Sequence, residues 1–218
     1  MKSSHIRPLA ALLAAVAFAM PARAQTHTHS HGTPAPSSGT VTNPAHPWTE
    51  ADVHFMSAMI GHHAQAVEMS RLAATREAGP AVQRLADRII NAQEDEIAAM
   101  QQWLRDRGQP VPEPGGAAAM HHGGAQHGDH GAAMPGMLTP EQMARLSAAR
   151  GPEFDRLFLT LMIQHHRGAT SMVQRLFGSY GAAQDETVFK FASDVNVDQI
   201  TEIERMQRML ADLTFGSP

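Results

Sequence analysis

The chain contains no cysteine. This absence excludes disulfides, thiolate metal ligands and lipid attachment at a cysteine. Aromatic residues are also scarce, with one Tyr, two Trp and 5% aromatic side chains in all. Any metal site must therefore use histidine, methionine or carboxylates, and stability must come from packing, with or without metal.

A long apolar run occurs only at the N terminus. Lys2 and Arg7 precede the apolar residues 9–20, and Ala-Arg-Ala follows at 22–24. This order predicts a cleaved secretory signal peptide over residues 1–24. The run is too short for a stable membrane anchor. We therefore expect a periplasmic mature protein without a membrane anchor.

Removal of this signal would make the chain more acidic. It takes away Lys2, Arg7 and Arg23 but no acid, which leaves 14 basic against 21 acidic side chains, a net charge of −7. Such a charge argues against nucleic acid as a partner. The mature chain would keep 13 of 14 His and 12 of 14 Met, so these two residue types need an explanation.

One long motif occurs twice. The chain reads DVHFMSAMIGHHAQAVEMSRL from Asp52 to Leu72 and DRLFLTLMIQHHRGATSMVQRL from Asp155 to Leu176. Both copies have helical spacing of their apolar residues, so each is expected to form a long helix. The identical pairs are Asp52/Asp155, Phe55/Phe158, Met59/Met162, Ile60/Ile163, His62/His165, His63/His166 and Met69/Met172.

A second helix is predicted after each copy, and these helices also match. The shared pairs are Gln93/Gln199, Glu96/Glu202, Ile97/Ile203, Met100/Met206 and Leu104/Leu210. The repeat unit is therefore a helical hairpin.

Local signals give the expected helix limits. Thr49 is a helix N-cap with Asp52 in the capping-box position, where Glu or Gln is more usual. The first helix should run to about Glu77, and Pro80 should begin the second. Thr139 should cap a short helix before the long helix of the second repeat.

Two hairpins, at 48–110 and 139–215, predict an all-α four-helix bundle. The connection between them, 111–138, is rich in Gly, Ala, His and Met and is predicted to be a flexible linker. Residues 25–47 are predicted to be a disordered His-rich tail. No region alternates with period two, so a sheet is not expected.

The repeated His and Met residues are candidate metal ligands. Met59 lies three residues before His62, so a thioether and an imidazole can reach the same ion from one helix face. Thioethers select Cu(I) or Ag(I), and imidazole suits copper in either oxidation state. The candidate set is Met59, His62, His63, Met69, Met162, His165, His166 and Met172.

Adjacent histidines on a helix point about 100° apart. One imidazole of each pair is therefore expected to face the interior and the other a rim site or a second metal. The competing interpretation is that the methionines are ordinary core residues, because Met fills irregular gaps well.

Glu96 and Glu202 lie among apolar residues on the expected inner face. A buried carboxylate is costly unless it is paired. Each could accept an imidazole N–H and so fix the tautomer of a metal-bound histidine. The alternative is a carboxylate that reaches solvent at the edge of the bundle.

The linker has its own candidate ligands. A His-rich tract in a Gly/Ala background is typical of flexible metal binding, so we expect weak capture of copper here and in the tail. The linker ligands are Met120, His121, His122, His127, His130, Met134 and Met137.

The two motifs FMSAMIGHHAQAVEM and FLTLMIQHHRGATSM, each followed by Q-x-x-E-I-x-x-M, resemble the domain of unknown function 305 family. The resemblance covers Trp48 to Leu213 apart from the linker. It implies a ferritin-like four-helix bundle, a periplasmic location and a link with copper or silver binding and resistance. It also implies that the eight helical His and Met residues are the ligands. The second copy departs from the first at Arg167, Gly168 and Thr170.

Two other functions are alternatives. A ferritin-like metal-dependent oxidase would need Glu-x-x-His motifs, and the sequence has none. A helical partner-binding protein would have no specific role for its His and Met. The sequence favours a non-enzymatic, periplasmic copper-binding protein for sequestration, resistance or hand-over. The metal would be Cu(I), with Cu(II) or Ag(I) as alternatives, and hand-over would need a periplasmic copper exporter or chaperone as partner.

Overall fold

The computed structural model describes residues 48–114 and 134–216. These form five α-helices and no strand, so the predicted all-α class is confirmed. The helices are α1 Glu50–Arg71, α2 Pro80–Asp106, α3 Pro140–Ala148, α4 Gly151–Gly178 and α5 Glu186–Phe215. The predicted signal peptide, the tail and most of the linker lie outside the described residues. None of the helices described combines the length and the apolar character needed to cross a bilayer.

The helix ends follow from their capping residues. The Thr49 side chain accepts from the Asp52 backbone N–H, and the Asp52 carboxylate accepts from the Thr49 N–H at 2.7 Å, which completes the predicted capping box. The α-helical part of α1 ends at Arg71, earlier than expected, because a 3₁₀ turn over Leu72–Thr75 replaces its last turn. Thr139 and Gln142 form a second capping box at the start of α3.

The two repeats are joined through their equivalent aspartates. Asp52, at the start of α1, accepts a hydrogen bond at 2.7 Å from the N–H of Ala183, beyond the end of α4. Asp155, at the start of α4, accepts from the N–H of Gly79, beyond the end of α1, at 3.1 Å. The helices α1 and α4 therefore run antiparallel. Each repeat ties its first helix to the interhelical connection of the other.

Each hairpin packs internally, α1 on α2 and α4 on α5, and α1 contacts α4 across the bundle. The buried apolar residues form two clusters. The upper cluster takes in the start of α1 and the end of α4, including Met59 and Met172. The lower cluster takes in the end of α1 and the start of α4, including Met69 and Met162. Between them, on every long helix, lies a level of buried polar residues.

Candidate metal centre

Six buried polar side chains separate the upper and lower clusters. We call them the polar layer. All four long helices contribute, because the same position in each repeat is polar. The members are His62 and His63 on α1, Gln93 on α2, His165 and His166 on α4, and Gln199 on α5, and each is at most 3% exposed.

His62 and His165 face each other at the contact of α1 and α4. Their ring centroids are 3.9 Å apart, with 41° between the ring planes. Burial, with His63 nearby, lowers the pKa of His62 to about 3. Burial and the neighbouring His62 ring hold the pKa of His165 well below its ordinary value, and the His62 backbone offsets only part of this. Both rings are therefore neutral at neutral pH and keep lone pairs for a metal.

The end of the linker covers this pair. Residues 134–138, which we call the strap, lie on α1 and α4. Gln65 holds the strap through two hydrogen bonds with the backbone of Leu138, at 2.8 and 3.1 Å. His62 Nε2 lies 3.0 Å from the carbonyl oxygen of Pro135. Because a carbonyl only accepts, Nε2 carries the proton, and the lone pair of His62 is on Nδ1.

The other two histidines turn away from the strap, toward α2 and α5. His63 Nε2 lies 2.7 Å from the Glu96 carboxylate, at ion-pair distance but without the alignment of a hydrogen bond. His166 Nε2 donates to the Glu202 carboxylate at 2.6 Å. The glutamates are 20% and 21% exposed and the imidazoles 0%. Each partly exposed carboxylate therefore contacts Nε2 of a buried imidazole. The Nδ1 atom of that imidazole stays free to act as a ligand.

All four imidazoles share one further property. Every Nδ1 atom is buried and lacks a hydrogen-bond partner among the described protein groups, and this also holds for Nε2 of His63 and His165. Buried polar atoms are almost always paired, because leaving one unpaired costs free energy. Ligation of a metal ion would pair these nitrogens, so the residues present fit a bound metal.

The four predicted methionine ligands are also buried. Met59, Met69 and Met162 are 0% exposed and Met172 is 8% exposed. Met59 and Met162 lie one turn from the polar layer, whereas Met69 and Met172 lie about two turns away. The bundle thus brings all eight predicted residues into its interior but places the thioethers on both sides of the imidazoles.

The site offers few of the donor groups that hard metal ions require. Within residues 48–114 and 134–216, no group of three or more His, Asp and Glu side chains is placed to hold one ion. A site built on the facing imidazoles would therefore need thioethers or a low coordination number. Cu(I) and Ag(I) accept both.

The structure differs from the sequence expectation at several residues. No histidine of the two pairs lies at a rim, because α2 and α5 cover the edges of α1 and α4. The strap residues Met134 and Met137 are half-buried, and Met134 packs against the upper cluster, although 111–138 was predicted as flexible. The remaining predicted linker ligands, Met120, His121, His122, His127 and His130, lie outside the described residues.

Sequence reasoning also missed three contributors to the site. Gln93 and Gln199 complete the polar layer, and their matched positions in the two repeats were a usable signal. Pro135 was missed because its carbonyl reaches His62 from 73 residues away in the chain. Such a contact leaves no pattern in the sequence.

The family model for DUF305, a domain of unknown function, matches residues 52–210. The chain belongs to the DUF305 family. This confirms the resemblance carried by the repeated motifs. A comparison with curated protein sequences gives no significant match.

Several solved structures resemble the chain over most of its length. A DUF305 protein of Streptomyces coelicolor, described as secreted, is 30% identical, with a TM-score of 0.61, and covers 75% of this chain and 94% of its own. A DUF305 fragment from Deinococcus radiodurans is 29% identical, with a TM-score of 0.61, over 76% and 98%. CopM in its Cu(I)-bound form is 28% identical, with a TM-score of 0.54, over 76% and 97%. CopM is also known in Cu(II)-bound and Ag-bound forms.

Proposed function

We propose that this DUF305 protein is a periplasmic copper-binding protein that holds Cu(I), and also Ag(I), for sequestration, resistance or hand-over. The observation that supports this best is the set of four buried Nδ1 atoms without protein partners in one layer of the bundle. The likeness to CopM, which has been crystallised with Cu(I), Cu(II) and silver, supports the same choice of metal.

The facing imidazoles of His62 and His165 are the proposed primary ligands. They are neutral, fully buried and in contact, so an ion between them would lose its water and meet only soft or borderline donors. Met59 and Met162, one turn away on the same helices, are the nearest thioethers in sequence. His63 and His166 are proposed as further ligands, held on Nε2 by Glu96 and Glu202.

Binding, rather than turnover, is the proposed activity. The four imidazoles are fully buried, so a substrate larger than an ion does not reach them unless the helices separate. Hand-over would then consist of ion release to a partner such as a periplasmic exporter or chaperone, without covalent chemistry.

The His/Met-rich residues of the tail and the linker are proposed to collect metal for this site. The His/Met-rich residues 120–137 end in the strap, which contacts His62 through Pro135. An ion bound weakly in the linker would therefore be at high effective concentration beside the polar layer.

The decisive experiment is an anaerobic Cu(I) titration of residues 25–218 against a competing chelator. Deletion of residues 25–47 and 116–132, with the strap retained, should leave the tight site intact. Replacement of His62 and His165 by Leu should abolish it. These replacements remove three unpaired buried nitrogens and lose one hydrogen bond, from His62 Nε2 to the Pro135 carbonyl, so the variant is expected to fold.

The matched control is His54→Gln, because His54 is exposed on the same helix α1. This variant should bind like the parent, and circular dichroism should show folded protein throughout. Unchanged Cu(I) affinity in the His62/His165 variant would overturn the proposed site. Loss of tight binding on deletion of the two segments would assign the metal to the deleted residues instead.

A further inference from the structure

A cleft of about 520 Å³ opens between α2 and α5, whose residues line it. These two helices make no substantial contact with each other, whereas each packs closely on its hairpin partner. Glu96 of α2 lines the cleft together with Asp198 and Glu202 of α5. Gln93 and Gln199 of the polar layer also line it, so the cleft reaches from solvent to the middle of the core.

The charged groups that line this cleft have a formal net charge of −1. Three carboxylates belong to the lining, together with Arg88 and Arg205. Partial burial, and then the charges of Glu96, Asp194 and Glu202, raise the pKa of Asp198. The field at Asp198 is therefore that of neighbouring acids, which favours a cation.

Two buried amide oxygens give the second, independent indication of a ligand. Gln93 is 2% and Gln199 3% exposed, and both line the cleft. In each, Oε1 is buried and accepts no hydrogen bond from the residues that the structure describes. Carboxylate and amide oxygens together are the donors that hard divalent cations prefer.

The size of the cleft decides how such a cation is held. Among the described residues, three His, Asp or Glu side chains do not converge on one point, so direct coordination by several carboxylates is not available. Six water molecules occupy about 180 Å³. The cleft therefore has room for a cation with its water shell, which the surrounding oxygens can contact through that water.

We propose that the α2–α5 cleft is a site for a hydrated divalent cation, separate from the soft site between His62 and His165. Glu96 and Glu202 line the cleft and also contact His63 and His166. The cleft is also the route by which an ion reaches the polar layer from solvent. The assignment of this route rests on the proposed function.

Mn²⁺ is a suitable probe, because it is a hard cation that thioethers and buried imidazoles do not select. Residues 25–218 with nitrogen-15 labelling would be titrated with Mn²⁺ at low ionic strength. Paramagnetic broadening should affect the side-chain amides of Gln93 and Gln199 before those of exposed glutamines. Electron paramagnetic resonance of free Mn²⁺ would give the affinity.

Asp198→Asn is the test variant, because Asp198 lines the cleft and, among the described residues, neither pairs with a histidine nor caps a helix. It should weaken Mn²⁺ binding about fivefold at low salt, and this difference should shrink as salt is added. Glu68→Gln removes the same charge from an exposed position on α1 and should change nothing.

Equal effects of Asp198→Asn and Glu68→Gln, or broadening centred away from Gln93 and Gln199, would overturn the cleft site. Neither result would touch the proposed function, because the anaerobic Cu(I) affinity is measured separately and should be the same in both variants. Loss of the tight Cu(I) site with Mn²⁺ binding intact would refute only the proposed function.

Discussion

The α-carbon of Gly168 lies directly against the carbonyl group of Pro135. A β-carbon at residue 168 would overlap this carbonyl, and one at Gly136 would come within 2.6 Å of the Gln164 carbonyl oxygen. Gly136 also has a φ of +77°, a left-handed conformation that favours glycine. Two glycines, one on α4 and one in the strap, thus allow the strap to lie over His62 and His165.

Gly168→Ala should lift the strap from α4. We expect a loss of about 1–3 kcal/mol in the free energy of unfolding, as for other overpacked contacts, together with a change in Cu(I) affinity. Urea unfolding and chelator competition would measure the two effects. Gly178→Ala on the same helix meets only open space and should be neutral or slightly stabilising. A stable Gly168→Ala protein with unchanged copper affinity would show that the strap has no role at the site.

Replacing Met59 and Met162 by Leu separates ligation from packing. Leu has nearly the same volume, so the free energy of unfolding should change by less than about 1.5 kcal/mol. If the thioethers bind metal, Cu(I) affinity should fall by about tenfold or more, since about 1.4 kcal/mol corresponds to that factor. The control is Met100 and Met206 to Leu, two methionines of α2 and α5 that are also 0% exposed. Equal affinity in both double variants would make all four methionines core residues only.

Glu202→Gln tests the carboxylate that holds His166. Gln can still accept from Nε2, so the fold should persist, but the negative charge that strengthens the imidazole as a ligand is lost. Cu(I) affinity should fall about tenfold, the lower end for outer partners of a metal ligand. Glu204→Gln on the same helix, where Glu204 is exposed, should leave the affinity unchanged. Equal Cu(I) affinities of Glu202→Gln and Glu204→Gln would mean that His166 binds no metal.

Asp185 should make stability depend on pH. It caps α5, accepts from Trp103 Nε1 and pairs with Arg107 at 2.5 Å. Burial acts to raise the pKa of Asp185, but the hydrogen bonds from Arg107, Val188 and Trp103 outweigh it, so the pKa lies below the usual 3.8. The unfolded chain therefore takes up this proton first as pH falls. The stability from this group is complete above pH 3.8 and is lost as pH falls through the folded-state pKa.

Urea midpoints of the parent and Asp185→Asn would measure this effect. The variant should be less stable at pH 7, and the gap should narrow below pH 3.8. A gap of constant size down to pH 2 would contradict the assignment. Asp212→Asn, on an exposed residue of the same helix, controls for the loss of one charge.

Much of the fold could be predicted because its determinants are local. Thr49, Pro80 and Thr139 mark helix starts through caps and proline at the first turn, and these positions are as expected. The duplicated hairpin predicted four long helices. The polar layer was only partly predicted, since the paired histidines were assigned to the site but the matched glutamines Gln93 and Gln199 were not.

The sequence by itself determined the helices, the two-fold repeat and the residue types available to bind metal, because periodicity, capping and composition are properties of short segments. Only the tertiary structure decided which of these residues meet. Antiparallel packing of α1 and α4 puts His62 against His165 and divides the methionines between two clusters. It also brings Pro135 over His62. Contacts between residues 73 or more positions apart depend on how helix faces pack, and a single helix pattern does not contain that information.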